Sequence, residues 1–207
     1  MSFVSAFINN DFASIMSDGR VISDNKKVGG HASVVEEDFK KVIKINNFLI
    51  GFTGNAVIVE FIIAAVKETI NVYGEAFMGK ELLLSVIKLS ISKYKEHSDA
   101  NVNVVLIGFS DEKPCAYTIK LLNKVIHDCK VDLFGKSYQL ITLCPFDYRL
   151  ADGSEGVDFI KKIQDVGETP IKIDEVIEMQ SEMNRFVSDN SDSVNKIVFC
   201  ESVINKN

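Results

Sequence analysis

Ser2 stands directly behind Met1, and a serine in that place has a chemical option that an internal serine lacks. Methionine removal is expected where a small residue follows it. The freed α-amine of Ser2 would have an unperturbed pKa of about 7.7–8.0, so part of it is neutral and basic near pH 7. Hydroxyl and base on one residue make a nucleophile that needs no Ser–His–Asp triad. Such a nucleophile is helped by a cation, and Lys41 is the candidate. In an extended segment Lys41 shares a face with Ile43 and Ile45, while Val42 and Lys44 point the other way. Buried lysines are rare unless paired. Burial lowers such a pKa and a carboxylate raises it, and Asp18 is the available carboxylate. The blander reading of Lys41 is an edge lysine whose head reaches water. Gly51 and Gly54 bracket Phe52-Thr53. Structurally they suit a tight strand-to-helix turn with Asn55 as cap. Chemically, a glycine N–H there is an unobstructed oxyanion donor.

The elements that must position these residues follow from periodicity and turn chemistry. Phe3 to Ile8 and Phe12 to Ser17 read as a hairpin around Asn9-Asn10-Asp11, and Asp18-Gly19-Arg20 closes it as a turn. Arg20 to Asp38 is polar, holds Gly29-Gly30 and reads as a loop with a short strand at Ser33-Val34-Val35. Lys41 to Ile45 and Phe48 to Thr53 form a second pair around Asn46-Asn47. Asn55 to Tyr73 and Lys80 to His97 are long enough for helices, the second with one broad apolar face. Strands return at Asn103 to Phe109, Cys115 to Leu122, Val125 to Val131 and Tyr138 to Leu143, with a turn at Ser110 to Pro114. The remainder predicts a helix from Ile173 to about Val187, a polar loop at Ser188 to Ser193 and a last strand from Lys196 to Val203. This order supports an α+β layered fold.

Composition narrows the classes. With 207 residues, 46% hydrophobic and 25% charged, the chain can bury one substantial core. It shows no linker, composition break or internal repeat, so residues 1–207 are expected to form one domain. A net charge of −6 and the lack of any long basic stretch argue against nucleic acid as partner. Glu60 interrupts the densest apolar run, Ala56 to Val66, which is too short for a span of roughly 20 residues; no membrane association is expected. Asn9, Asn10 and Asp11 arrive too early for a signal peptide. Cys115, Cys129, Cys144 and Cys200, and His31, His97 and His127, have no metal-type spacing. No metal or cofactor is implied, and a cytoplasmic location is the expectation. Cys144 before Pro145 reads as an inert strand end rather than a reactive thiol.

Taken together, Ser2, Asp18-Gly19-Arg20, Lys40-Lys41 and Gly51-Phe52-Thr53-Gly54 resemble, in order and spacing, the first quarter of a proteasome β-type subunit or its bacterial two-ring relatives, a peptidase family of N-terminal nucleophile (Ntn) hydrolases. Good resemblance covers roughly residues 2–60, and Ser2 to Arg20 pairs without a gap. It implies a four-layer αββα sandwich. It also implies amide-bond cleavage in peptides, with Ser2 as nucleophile and Lys41, held by Asp18, lowering its proton affinity. Gly51 would supply the oxyanion N–H. The resemblance further implies a homo-oligomer, with a ring among its forms. Later segments depart from the family. Where it carries Gly-Ser-Gly, this chain has Leu143-Cys144-Pro145, and the family's next helix would be a shorter one between Gly153 and Ile163. Where it carries an acidic residue followed by Ser-Gly-Gly, the run Asp189 to Ser193 offers Asp189 and no glycine pair. Three alternatives remain at this level: a non-catalytic assembly subunit of the same fold, a hydrolase of small amides, and an unrelated α+β binding module.

Overall fold

The computed structural model describes residues 2–28, 31–97, 100–132, 138–144 and 171–205, with the backbone alone for 23–28 and 31–33. The first hairpin forms as its sequence dictates. Strands β1 (Val4–Asn9) and β2 (Phe12–Asp18) pair antiparallel, and the Asn9 side-chain oxygen accepts the N–H groups of Asp11 and Phe12 at 2.9 and 2.8 Å. That is how asparagine makes a turn from its own side chain. Two further hairpins turn on residue pairs with positive φ, Asp111-Glu112 and Asn123-Lys124, the backbone that matches the twist of the flanking strands.

The segment from Arg20 to Asp38, expected as a loop with a short strand at Ser33-Val34-Val35, is a second hairpin whose later strand contains those three residues. β3 (Val21–Val28) and β4 (His31–Glu36) pair antiparallel, with shifts of register after Val21 and after Ser23. The polar run Ser23-Asp24-Asn25-Lys26-Lys27 carries no apolar alternation. A strand whose residues do not alternate between apolar and polar leaves no period-2 signal to read.

β5 (Val42–Ile45), β6 (Phe48–Gly54), β7 (Val102–Ser110), β8 (Lys113–Leu122) and β9 (Val125–Val131) form a five-stranded antiparallel sheet in chain order. Between β6 and β7 run two helices, α1 (Ala56–Tyr73) and α2 (Lys80–Ser92). Asn55 caps α1, accepting the N–H of Val57 at 3.0 Å. A four-stranded sheet has the order β10-β1-β2-β11, where β10 is Tyr138–Leu143 and β11 is Val198–Ile204. One more helix, α3 (Ile173–Asp189), precedes β11. The helix expected between Gly153 and Ile163 lies outside the described residues.

Strand alternation divides the core. Ile50, Phe52, Val104 and Leu106 face the two helices and pack with Ile58, Ile62, Leu83 and Ile87. Their neighbours Leu49, Val105 and Ile107 face the other sheet and meet Val4, Ala6, Ile8 and Ile15. The opposite face of β1 and β2 carries Phe3, Phe7 and Phe12, which pack under α3 through Val176, Met183 and Val187. A buried polar seam joins the same surfaces: Ser14 Oγ donates to Gln180 Oε1 at 2.7 Å, and Gln180 Nε2 donates to the Ser5 carbonyl at 2.9 Å. Among the described residues no helix is long and apolar enough to cross a membrane.

Gly51 sits where the two sheets are packed tightly together. A Cβ there would stand 2.6 Å from Ile15 Cδ1 and 2.8 Å from Val4 Cγ1. Gly51→Val is therefore expected to lower the unfolding free energy by about 1–3 kcal/mol, the usual cost of overpacking. Denaturant titration would show it as a lower midpoint with an unchanged slope; an unchanged midpoint would mean the sheets separate freely at this point.

Candidate active site

β1 and β2 lie side by side, so the residue that starts the first and the residue that ends the second become neighbours. The Asp18 N–H donates to the Phe3 carbonyl at 3.2 Å. In return the Phe3 N–H donates to Asp18 Oδ1 at 2.8 Å, a side-chain oxygen standing in for the next rung of the ladder. Asp18 is thereby fixed beside the Ser2–Phe3 peptide. Its second oxygen, Oδ2, accepts the Arg20 N–H at 2.8 Å and Lys41 Nζ at 3.1 Å. Lys41 Nζ also donates to the Arg20 carbonyl in a shorter contact. Asp18 has no exposed surface, and Ser2 and Lys41 are each 3% exposed.

Lys41 is buried and paired, rather than an edge lysine reaching water. The expected face-sharing with Ile43 and Ile45 does not hold, because β5 begins only at Val42. Ile43 and Ile45 pack toward the helices, while Lys41, one residue before the strand, crosses to Asp18 of the opposite sheet.

Burial pushes the Asp18 carboxyl above its usual range, opposed by the Lys41 charge and the N–H groups of Phe3 and Arg20. Burial likewise pushes the Lys41 ammonium below its usual range, opposed by Asp18. A lysine so placed gives up a proton more readily than one in water, while its partner keeps it oriented.

Two expected members are placed elsewhere. Asp189 ends α3, is exposed and pairs with Lys196 at 2.7 Å. No contact joins it to Asp18 or Lys41 among the described residues. Gly51 is close in sequence to the site, but its N–H points the wrong way. Phe52 N–H donates to the Lys41 carbonyl toward β5, and Phe109 N–H donates to the Asn47 carbonyl from β7. Successive residues of a strand turn their N–H groups to opposite sides, so Gly51 spends its own on β7, where Val105 is its register partner. The same alternation turns the Gly54 N–H to the β5 side, beyond the end of that strand. Gly54 has φ 109°, and a Cβ there would meet Asn101 O at 2.3 Å and Val102 Cα at 2.8 Å. The segment admits only glycine at that point.

Sequence reasoning missed the residues around the turn at 18–20. The Arg20 guanidinium forms two bonds of 3.1 Å with the Glu37 carboxylate and one of 2.8 Å with the Asp192 carbonyl. Arg20, held first by hydrogen bonding, keeps the Glu37 carboxyl below its usual range, with Asn195 as the second donor. Asn195, 6% exposed, accepts the Gly19 N–H at 3.0 Å and donates to the Glu37 carbonyl at 2.7 Å. Only a hint of this was available: an Asx- and Ser-rich run ahead of a strand signals a turn, not what the turn touches. Cys144, expected to be an inert buried strand end, is exposed at the end of β10.

The structure overlays the crystal structure of eukaryotic HslV from Trypanosoma brucei with a TM-score of 0.55, covering 98% of this chain and 99% of that one at 10% sequence identity. The fold is HslV-like. No protein-family model matches the sequence, and no curated protein matches it. The HslV-like fold joins the start of β1, the end of β2 and the start of β5 at one place, which is where Ser2, Asp18 and Lys41 fall.

Proposed function

We propose that residues 1–207 form one proteasome-like Ntn hydrolase domain that cleaves peptide amide bonds, with Ser2 as nucleophile once Met1 is removed. The observation that carries this reading is the Asp18 carboxylate, which binds the Phe3 N–H at 2.8 Å with one oxygen and Lys41 Nζ at 3.1 Å with the other. That carboxylate links a buried lysine to the Ser2–Phe3 peptide. The packing of α1 and α2 on one sheet, and of α3 on the other, supports the four-layer αββα arrangement.

In this reading Ser2 Oγ attacks the substrate carbonyl and forms the C–O bond of a tetrahedral intermediate. The Ser2 α-amine takes the hydroxyl proton and returns it to the leaving amine as the C–N bond breaks; water, deprotonated by the same amine, then hydrolyses the Ser2 ester and restores the hydroxyl. Lys41 holds positive charge beside the developing alkoxide, and Asp18 and the Arg20 carbonyl keep its ammonium in place. The oxyanion role expected of Gly51 finds no support in the direction of its N–H. Gly54 N–H, turned to the side of β6 on which Lys41 lies, takes that role in the proposal, an interaction worth roughly 10²–10³ in rate in other enzymes. Asp189 has no part in it. The chemistry calls for no metal or cofactor, and the protein would act as a homo-oligomer of the proteasome-like kind in the cytoplasm.

Intact mass of untagged protein, before and after a β-lactone that acylates terminal nucleophiles, tests the proposal. The expected result is a chain lacking Met1 that gains one adduct, localised to Ser2 by peptide mapping. Retained Met1, or a processed chain that takes no label, would overturn it in favour of a non-catalytic subunit of the same fold.

A further inference from the structure

Lys41 is held by two acceptors, Asp18 Oδ2 and the Arg20 carbonyl. Both belong to the three-residue segment 18–20, so the lysine is only as well placed as the backbone of Gly19. That backbone is gripped from two other parts of the chain. Phe39 N–H donates to the Gly19 carbonyl at 2.9 Å, and the Gly19 N–H donates to Asn195 Oδ1 at 3.0 Å. There is no slack, since a Cβ on Gly19 would stand 2.6 Å from the Glu37 carbonyl oxygen.

Asn195 is the residue at which these segments meet. Its Oδ1 takes the Gly19 N–H, and its Nδ2 reaches the Glu37 carbonyl at 2.7 Å and Glu37 Oε2 at 2.5 Å. Its own carbonyl is anchored by Asn184 Nδ2 at 2.9 Å, and Asn184 is 1% exposed. A carboxamide is the side chain that this place requires. It must accept from a backbone N–H and at the same time donate to a backbone carbonyl, with a carboxylate beside it. Aspartate could not donate, and an apolar residue would leave the buried Gly19 N–H unmatched.

We propose that Asn195 is a positioning residue for Lys41: its amide fixes the Gly19–Arg20 backbone so that the Arg20 carbonyl and Asp18 Oδ2 converge on Lys41 Nζ. This rests on the hydrolase reading for its meaning in catalysis, but the placement of the lysine can be measured without any turnover. Lys41 is faced by Asp18 from β2, by Arg20 following it, and by Glu36 from the end of β4. Changing Asn195 alters none of these three; Glu37, which Lys41 also faces, loses the Asn195 Nδ2 hydrogen bond but keeps its pair with Arg20.

The test is a ¹³Cε titration of Lys41 in the full-length protein, with the resonance assigned by its loss in Lys41→Met. In Asn195→Ala the Gly19 tie is cut and the Arg20 carbonyl relaxes away. The ammonium, still buried, loses an acceptor, so its midpoint is expected to move to lower pH by roughly one pH unit. Asn195→Ser, which leaves a smaller void, serves if the alanine variant does not fold, and the same downward movement is expected. Gln180→Leu, a buried polar change between α3 and the β1–β2 pair, controls for general destabilisation and should leave the midpoint where it is. An unchanged or raised midpoint in a folded Asn195 variant overturns the proposal, as does an equal shift in Gln180→Leu. A lowered midpoint in a protein whose Ser2 takes no β-lactone would sustain the positioning role and defeat the hydrolase reading; labelling without a shift would do the reverse.

Discussion

The Ser2→Ala protein is expected to show no β-lactone adduct at all, under conditions in which the parent chain gains one. Alanine is also small, so Met1 should still be removed and a free α-amine should still stand at the start of β1. What is lost is the hydroxyl alone. An adduct that persisted would have to sit on the amine or on a thiol, and Cys129 and Cys144, both exposed, are the first thiols to exclude by peptide mapping. Lys41→Met gives the graded version of the same experiment. It keeps the volume and the hydroxyl but removes the cation next to Asp18, and labelling is expected to slow by about 10²–10⁴, the range in which a positioned proton-transfer or charge-stabilising group contributes. Labelling at the parent rate in Lys41→Met would mean that the α-amine manages alone and the buried pair serves only the fold.

Some of this was legible in the sequence, for physical reasons that can be named. The Asp18, Gly19 and Arg20 turn and the Asn55 cap depend on local chemistry: turn residues and caps act within a few positions of each other. The sequence also marked Ser2 and Lys41 as partners through Asp18, and the 3.1 Å contact bears out the Lys41–Asp18 half of that. What was not legible depends on which strand lies beside which. β10 pairs with β1 from more than 120 positions away and β11 pairs with β2; nothing local specifies either. That pairing carries Asn195 to Gly19 and leaves Asp189 at the far end of a helix. The role of Gly51 was misjudged for a similar reason. Its identity suited an oxyanion donor, but the direction of its N–H follows from the register with β7, and its small size is needed between Val4 and Ile15. Of the β3–β4 hairpin only the short strand at Ser33-Val34-Val35 was legible, because the polar run of β3 carries no apolar alternation.

Asp18→Ala is expected to be the most damaging single change to the folded state, costing about 3–5 kcal/mol of stability near neutral pH. The reason is not the attraction that is lost but the ammonium that is left behind. Lys41 is 3% exposed, and without Asp18 its remaining acceptor among the described residues is the Arg20 carbonyl. The Phe3 N–H loses its acceptor at the same time. If that account is right, removing the charge should restore part of the loss. Asp18→Asn combined with Lys41→Met keeps an oxygen for the Phe3 N–H and buries no charge, so the pair should be more stable than Asp18→Ala alone; the two sites are in contact and their effects should not add. The pH dependence gives a second check. Burial already holds the Lys41 pKa below its usual value with Asp18 present, and removing the carboxylate takes away the largest influence that raises it. In the variant the unfolded chain then binds more protons than the folded one between that lowered value and about 10.4. Stability therefore rises with pH through this window, and the deficit of Asp18→Ala relative to the parent should shrink as the pH is raised from 7 toward 10. Chemical denaturation at several pH values measures it. A deficit that stayed constant, or a double variant no more stable than the single, would show that Asp18 matters through its hydrogen bonds to the backbone and not through the charge it faces.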